Sequence, residues 1–110
     1  MHDMACVRVD IGSDHPAFDG HFPGQPLLPG VVLLSEVLEA LLRAAPEAIG
    51  SNPRISTVKF LAPVRPGAHL EVRWTGGGQA RLRFQVWRHA PGDPIGGVQA
   101  ASGQLEAGAP

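Results

Sequence analysis

The sequence predicts an α+β fold in which an antiparallel sheet of about five strands wraps one long helix. Three observations carry this. The stretch from Val31 to about Ala45 is apolar on most of its circumference. One alternating run precedes it and several follow it. The later runs are separated by short clusters of Gly and Pro, and short connections between strands make antiparallel neighbours.

The helix is framed by Pro and Gly. Pro29 or Gly30 starts it, since proline is tolerated in a first helical turn, and Pro46 ends it. Its polar residues are Ser35, Glu36, Glu39 and Arg43. At roughly 100° per residue all four fall on one narrow stripe, with Glu39 about 40° and Glu36 about 100° from Ser35. Such a helix needs covering on most sides.

The other elements follow in order. From Met4 to Ile11, Val7, Val9 and Ile11 alternate with Cys6, Arg8 and Asp10, which predicts a strand. Gly12 to Gly20 is loop. His21 to Gly30 is a loop made rigid by Pro23, Gly24, Pro26, Pro29 and Gly30. Pro46 to Pro53 is a connector. Strands are expected over Ile55 to Leu61, His69 to Thr75 and Ala80 to His89, with a last, weaker one over Ile95 to Leu105. Gly76-Gly77-Gly78 and Pro91 to Asp93 supply turns. A single antiparallel sheet buries one apolar helix by curling around it, which is the hotdog arrangement.

Size and charge set bounds. At 110 residues, one hotdog domain spanning 1–110 is expected, with 106–110 a frayed tail. So thin a core around so apolar a helix favours an oligomer. A net charge of −1 gives no bulk attraction for nucleic acid or membrane, so neither is an expected partner. The one cysteine, Cys6, fits a reducing, cytoplasmic setting, and no signal peptide or membrane span is expected.

Few side chains are candidates for chemistry. His21 stands at the entrance to the rigid loop: it is either a general base in a fixed position or a loop histidine bonded to backbone. Gly30 opens the helix, where backbone N–H groups lack helical partners and the dipole favours negative charge. A thioester oxygen suits that place, as does water. The Ser35, Glu36, Glu39 and Arg43 stripe is either a solvated edge or the polar wall of a site. Arg81, Arg83 and Arg88 form a modest basic strand, solvated or a dock for an acidic partner. His2, His15, His69 and His89 lack metal-ligand spacing, so no metal is expected.

At Phe18-Asp19-Gly20-His21-Phe22-Pro23-Gly24-Gln25-Pro26-Leu27-Leu28-Pro29-Gly30-Val31 the chain resembles the 3-hydroxyacyl-acyl-carrier-protein dehydratase family of the FabA/FabZ type. The signature there is GHFPGxPxxPGV running into the central helix, and every fixed position is present. Lys59-Phe60, Pro63-Val64 and Pro66-Gly67 resemble the strand and turn that follow. The resemblance implies a homodimer with sites at the subunit interface and an acyl chain on a phosphopantetheine arm, brought by acyl carrier protein or as a CoA thioester. The protein itself would need no cofactor. His21 would take the proton α to the thioester, the Gly30 N–H would hold the thioester oxygen, and Phe22, Pro23, Gly24, Pro29 and Val31 would line the substrate.

One position departs from the family. Its catalytic Glu or Asp falls on Ser35. Serine is a poor acid near neutral pH, and loss of a general acid costs roughly 10²- to 10⁴-fold. Glu39, one turn further on the same face, is the possible substitute; Glu36 is rotated away. Three readings follow: a dehydratase acting through His21 with Ser35 or Glu39, a hotdog that binds acyl carrier protein or an acyl chain without turnover, and an acyl-thioesterase using Glu36 or Glu39.

Overall fold

The computed structural model describes residues 5–16, 27–50, 52–76 and 81–106. Its elements are β1 (Ala5–Asp10), α1 (Gly30–Ala44), α2 (Pro46–Ile49), β2 (Arg54–Phe60), β3 (His69–Gly76), β4 (Arg81–His89) and β5 (Val98–Glu106). All strands pair antiparallel in one sheet of order β1-β3-β4-β5-β2. The α+β architecture is the expected one.

Alternation decides which face each strand buries. Val9 on β1, Leu70, Val72 and Trp74 on β3, and Leu82, Phe84 and Val86 on β4 point inward. They share one core with Leu33, Val37, Ala40 and Leu41 of α1. Gly103 of β5 makes room for this packing, because a Cβ there would lie 2.6 Å from the tip of Phe84. Among the described residues the helix is covered mainly on that face. Val31 and Leu42 remain 77% and 49% exposed.

Several boundaries differ from the sequence reading. The connector after α1 contains a helical turn, α2, because Pro46 can begin a helix as well as end one. The last strand starts at Val98 and not Ile95, since Ile95 and Gly96 form a turn closed by Gly97 N–H to Pro94 O at 2.8 Å. Glu106 is no part of a frayed tail: it pairs with Arg54 and Arg81. Chain neighbours β2 and β3 do not pair, because the connector through Pro63, Pro66 and Gly67 carries the chain across the sheet from one side of β5 to the partner of β1.

Two irregularities hold that connector. A bulge in β5 inserts Ala100 opposite the step from Val86 to Trp87, and its carbonyl accepts from Leu61 N–H (2.8 Å) and Ala62 N–H (3.3 Å). Arg88 grips Asp93 with two bonds of 3.0 and 2.9 Å and donates a third, 2.7 Å, to Pro63 O. The Asp93 carboxylate also accepts from Ala90 N–H at 2.9 Å. The Arg88 guanidinium holds the Asp93 carboxyl below the usual carboxylate range.

Two predictions follow from this packing. Leu41→Ala should lower the unfolding free energy by about 2–5 kcal/mol, whereas Leu42→Ala, one residue on but outward, should cost under about 1 kcal/mol; denaturant melts read both. Because the folded-state value of Asp93 is depressed, its stabilisation is present at neutral pH and is lost as the pH falls below the ordinary aspartate value of 3.8. Asp93→Asn should therefore be less stable than wild type at neutral pH, with the gap in Tm closing in acid.

Candidate active site at the helix N-terminus

Pro29 occupies the N-cap of α1 in extended geometry (φ −60°, ψ 145°). Its carbonyl accepts the first helical bond, from Leu33 N–H at 2.9 Å. Proline offers no capping side chain, and the first turn holds no acidic residue. The N–H groups of Gly30, Val31 and Val32 therefore have no partner within the helix, at the end where its dipole is positive.

Gly30 and Val31 border an apolar groove of about 610 Å³, whose walls also include Leu27, Phe60, Leu61 and Pro63. Phe60 and Leu61 are 50% and 54% exposed, so the groove is open on one side. Leu28 fixes its floor: it is buried, and its N–H donates to Val64 O at 2.8 Å. The ring of Phe60 lies against Gly30, where a Cβ would sit 2.7 Å from its Cζ. Glycine here is a matter of space.

Of the predicted site residues, Gly30 and Val31 line this groove, with Pro29 capping the helix beside it. His21, Phe22, Pro23 and Gly24 lie outside the described residues. Ser35 is exposed, and its hydroxyl donates to Val31 O at 3.2 Å, leaving the oxygen able to accept. Glu39 is exposed and receives a 3.2 Å bond from Arg43, the expected i, i+4 pair. Glu36 does not behave as part of a common stripe: its carboxylate lies 2.8 Å from His15 Nε2 in the loop after β1, on the side to which its rotation from Ser35 carries it. Among the described residues no carboxylate lines the groove.

Sequence reasoning did not anticipate the role of Phe60 and Leu61 or the pairing of His15. The first signal was present in the Lys59-Phe60 match; the second depends on tertiary placement. Away from the groove, Asp10 bonds Arg8 (2.8 Å) and His69 (2.7 Å), which lower its pKa. Among the described residues no three His, Cys, Asp or Glu side chains converge to hold a metal, and no helix is long and apolar enough to cross a membrane.

Similarity to known proteins points the same way. The family model described as ApeI-like, ApeI dehydratase, matches residues 1–96. The 3-hydroxyacyl-[acyl-carrier-protein] dehydratase FabZ of Verminephrobacter eiseniae is 30% identical over 105 residues, covering 87% of this chain and 68% of the relative. FabZ of Myxococcus xanthus is 28% identical over 100 residues, covering 84% and 63%. The chain thus spans about two thirds or less of the length of these dehydratases. Among solved structures, the dehydratase heterocomplex ApeI:P from Xenorhabdus doucetiae matches with a TM-score of 0.66 at 27% identity, over 94% of this chain and 85% of that one. The N-terminal dehydratase of a difficidin assembly line shares the fold, with a TM-score of 0.69 at 19% identity, over 97% of this chain and 39% of that one.

Gly30→Ala tests the groove. Alanine favours the helix by about 0.5–1 kcal/mol over glycine, and only the far end of the Phe60 ring must swing away. Thermal stability should hold or rise, while the dissociation constant for a fluorescent acyl-chain probe should increase several-fold. Glu39→Gln should change stability by only a few tenths of a kcal/mol, as befits an exposed helical pair.

Proposed function

The chain belongs to the ApeI-like dehydratase family, and from that premise we propose that it acts on 3-hydroxyacyl thioesters as a dehydratase of fatty-acid or related acyl-chain synthesis. The observation that carries the proposal is the uncapped start of α1, with Gly30 at its first position, facing an apolar groove. An acyl chain fits the groove, and its thioester oxygen meets the Gly30 N–H. Negative charge that develops on this oxygen as the α-proton leaves is stabilised by that donor and the helix dipole.

In this reading His21 removes the α-proton. The electron pair forms the Cα–Cβ double bond, and the β-hydroxyl departs with a proton as water. Phe22, Pro23, Gly24, Pro29 and Val31 border the substrate. The phosphopantetheine belongs to the substrate, delivered by acyl carrier protein or as a CoA thioester, and the protein brings no cofactor of its own. The setting is cytoplasmic.

A second copy completes the assembly. β2 is an edge strand exposed along nearly its whole length, and its last residue, Phe60, shares the groove with exposed Leu61 and Val31. A homodimer would cover these. The proton for the leaving hydroxyl then comes through a water held by Ser35, or from Glu39 one turn on. Ser35 favours one further arrangement: pairing with a related chain that carries a carboxylate there, a reading the heterocomplex architecture of the Xenorhabdus doucetiae relative supports. The thioesterase reading is the weaker one, since the matching family model and the curated relatives are dehydratases and Glu36 is engaged with His15. A scaffold that binds acyl carrier protein or an acyl chain without turnover is the remaining alternative.

Dehydration of a short (3R)-hydroxyacyl thioester on acyl carrier protein, followed by mass spectrometry, separates these. Wild-type turnover should fall roughly 10²- to 10⁴-fold in His21→Ala, the range for loss of a general base, and rise in Ser35→Glu. A silent wild type with an active Ser35→Glu would identify a binding scaffold or one half of a mixed pair.

A further inference from the structure

One wall of the groove is tied down residue by residue. The Leu61 and Ala62 N–H groups both donate to the Ala100 carbonyl, at 2.8 and 3.3 Å, and the Val64 carbonyl accepts from Leu28 N–H at 2.8 Å. Pro63 lies between them and lines the groove. A proline has no N–H, so its carbonyl is the one backbone group by which it can be held. That carbonyl accepts from Arg88 Nη1 at 2.7 Å.

Arg88 is aimed before it reaches Pro63. Its Nε–H and Nη2–H donate to Asp93 Oδ2 and Oδ1 at 3.0 and 2.9 Å, so one edge of the planar guanidinium is fixed and Nη1 is left for the connector. Asp93 is aimed in turn. Its Oδ2 accepts from Ala90 N–H at 2.9 Å, its own N–H donates to Ala90 O at 2.9 Å, and Gly92 completes the turn at φ +91°. The Arg88 and Asp93 side chains are 18% and 11% exposed, which shelters their bonds from competing water. Neither lines the groove. Both border a separate hollow of about 260 Å³, shared with Arg65 and Pro66 of the connector and Pro91 of the turn.

We infer that Arg88 and Asp93 are positioning residues for the groove: the turn between β4 and β5, acting through these two side chains and the Pro63 carbonyl, sets how the wall from Leu61 to Pro63 stands against the start of α1, and with it the fit of an apolar chain. The inference rests on the proposal that the groove takes an acyl chain; the fastening of the wall is measurable without one. Lysine at position 88 would keep the charge but lacks the rigid fork that holds Asp93 with one edge and leaves another donor for Pro63.

Hydrogen–deuterium exchange on the full chain reads the wall directly. In Arg88→Ala and Arg88→Lys the Leu61 and Ala62 amides should exchange at least several-fold faster, while peptides from β1 stay as in wild type. Titration with a fluorescent acyl-chain probe should show a several-fold higher dissociation constant in both variants and a smaller rise in Asp93→Asn, which carries the test if the Arg88 variants fail to fold. In the dehydration assay KM should rise with kcat little changed. Leu41→Ala controls for stability alone: it weakens the core away from the groove, and while folded it should bind the probe as wild type does. Unchanged exchange at Leu61 and Ala62 would overturn the inference, as would a loss of affinity in Leu41→Ala equal to that in Arg88→Ala. A wild type that does not bind the probe would count against the acyl-chain reading, and exchange at Leu61 and Ala62 would then decide for or against the positioning role.

Discussion

A helix too apolar for the sheet that carries it is the constraint on which the molecule depends. Leu33, Val37, Ala40 and Leu41 give the sheet one well-buried face of α1. Each large aliphatic side chain removed from water contributes about 1.5–3 kcal/mol, so that face accounts for much of the stability. Among the described residues all five strands lie in one sheet on that side of α1. Val31 and Leu42 stay exposed on the other, and Leu27, Phe60 and Leu61 add to the uncovered apolar surface at the helix start. The same arrangement leaves the groove and the β2 edge open.

Most of the fold was legible because its signals are local. The alternation of Leu70, Val72 and Trp74, and of Leu82, Phe84 and Val86, names both the strands and their buried faces. The frame of Pro29 and Pro46 sets the ends of α1 to within a residue. What was not legible is non-local. The crossing of β2 to the far side of β5 depends on the Ala100 bulge and the Arg88–Asp93 grip, and neither leaves a pattern in sequence. Leu105 to Glu106 read as a strand running into a tail because the partners that hold Glu106, Arg54 and Arg81, are distant in the chain.

The candidate site divides along the same line. A helix wheel assigns Ser35, Glu36, Glu39 and Arg43 to one stripe, and three of them keep to it. Glu36 leaves it because the loop after β1 brings His15 within 2.8 Å, a contact that spacing along α1 cannot reveal. That difference has a chemical consequence. The Glu36 carboxylate is occupied by His15, and the neighbouring Ser35 hydroxyl donates its proton to Val31 O. Among the described residues the groove therefore has apolar walls and the uncapped start of α1 beside it, but no acid.

Gly30 shows how fold and chemistry meet in one residue. Nothing in its backbone requires glycine, since it lies in the first turn of an ordinary helix with no positive φ. As a helix residue it is a poor choice, less favourable than alanine by up to about 1 kcal/mol. What it accommodates is Phe60, whose ring tip would meet a Cβ at 2.7 Å and would have to swing away. Phe60 in turn is held by β2 and by the Leu61 and Ala62 bonds to the Ala100 carbonyl just after it. The glycine thus lets an aromatic wall close onto the helix N-terminus without covering its N–H groups with a methyl. Sequence patterns that favour stability alone would place alanine there; glycine leaves the backbone bare at the end of an apolar groove.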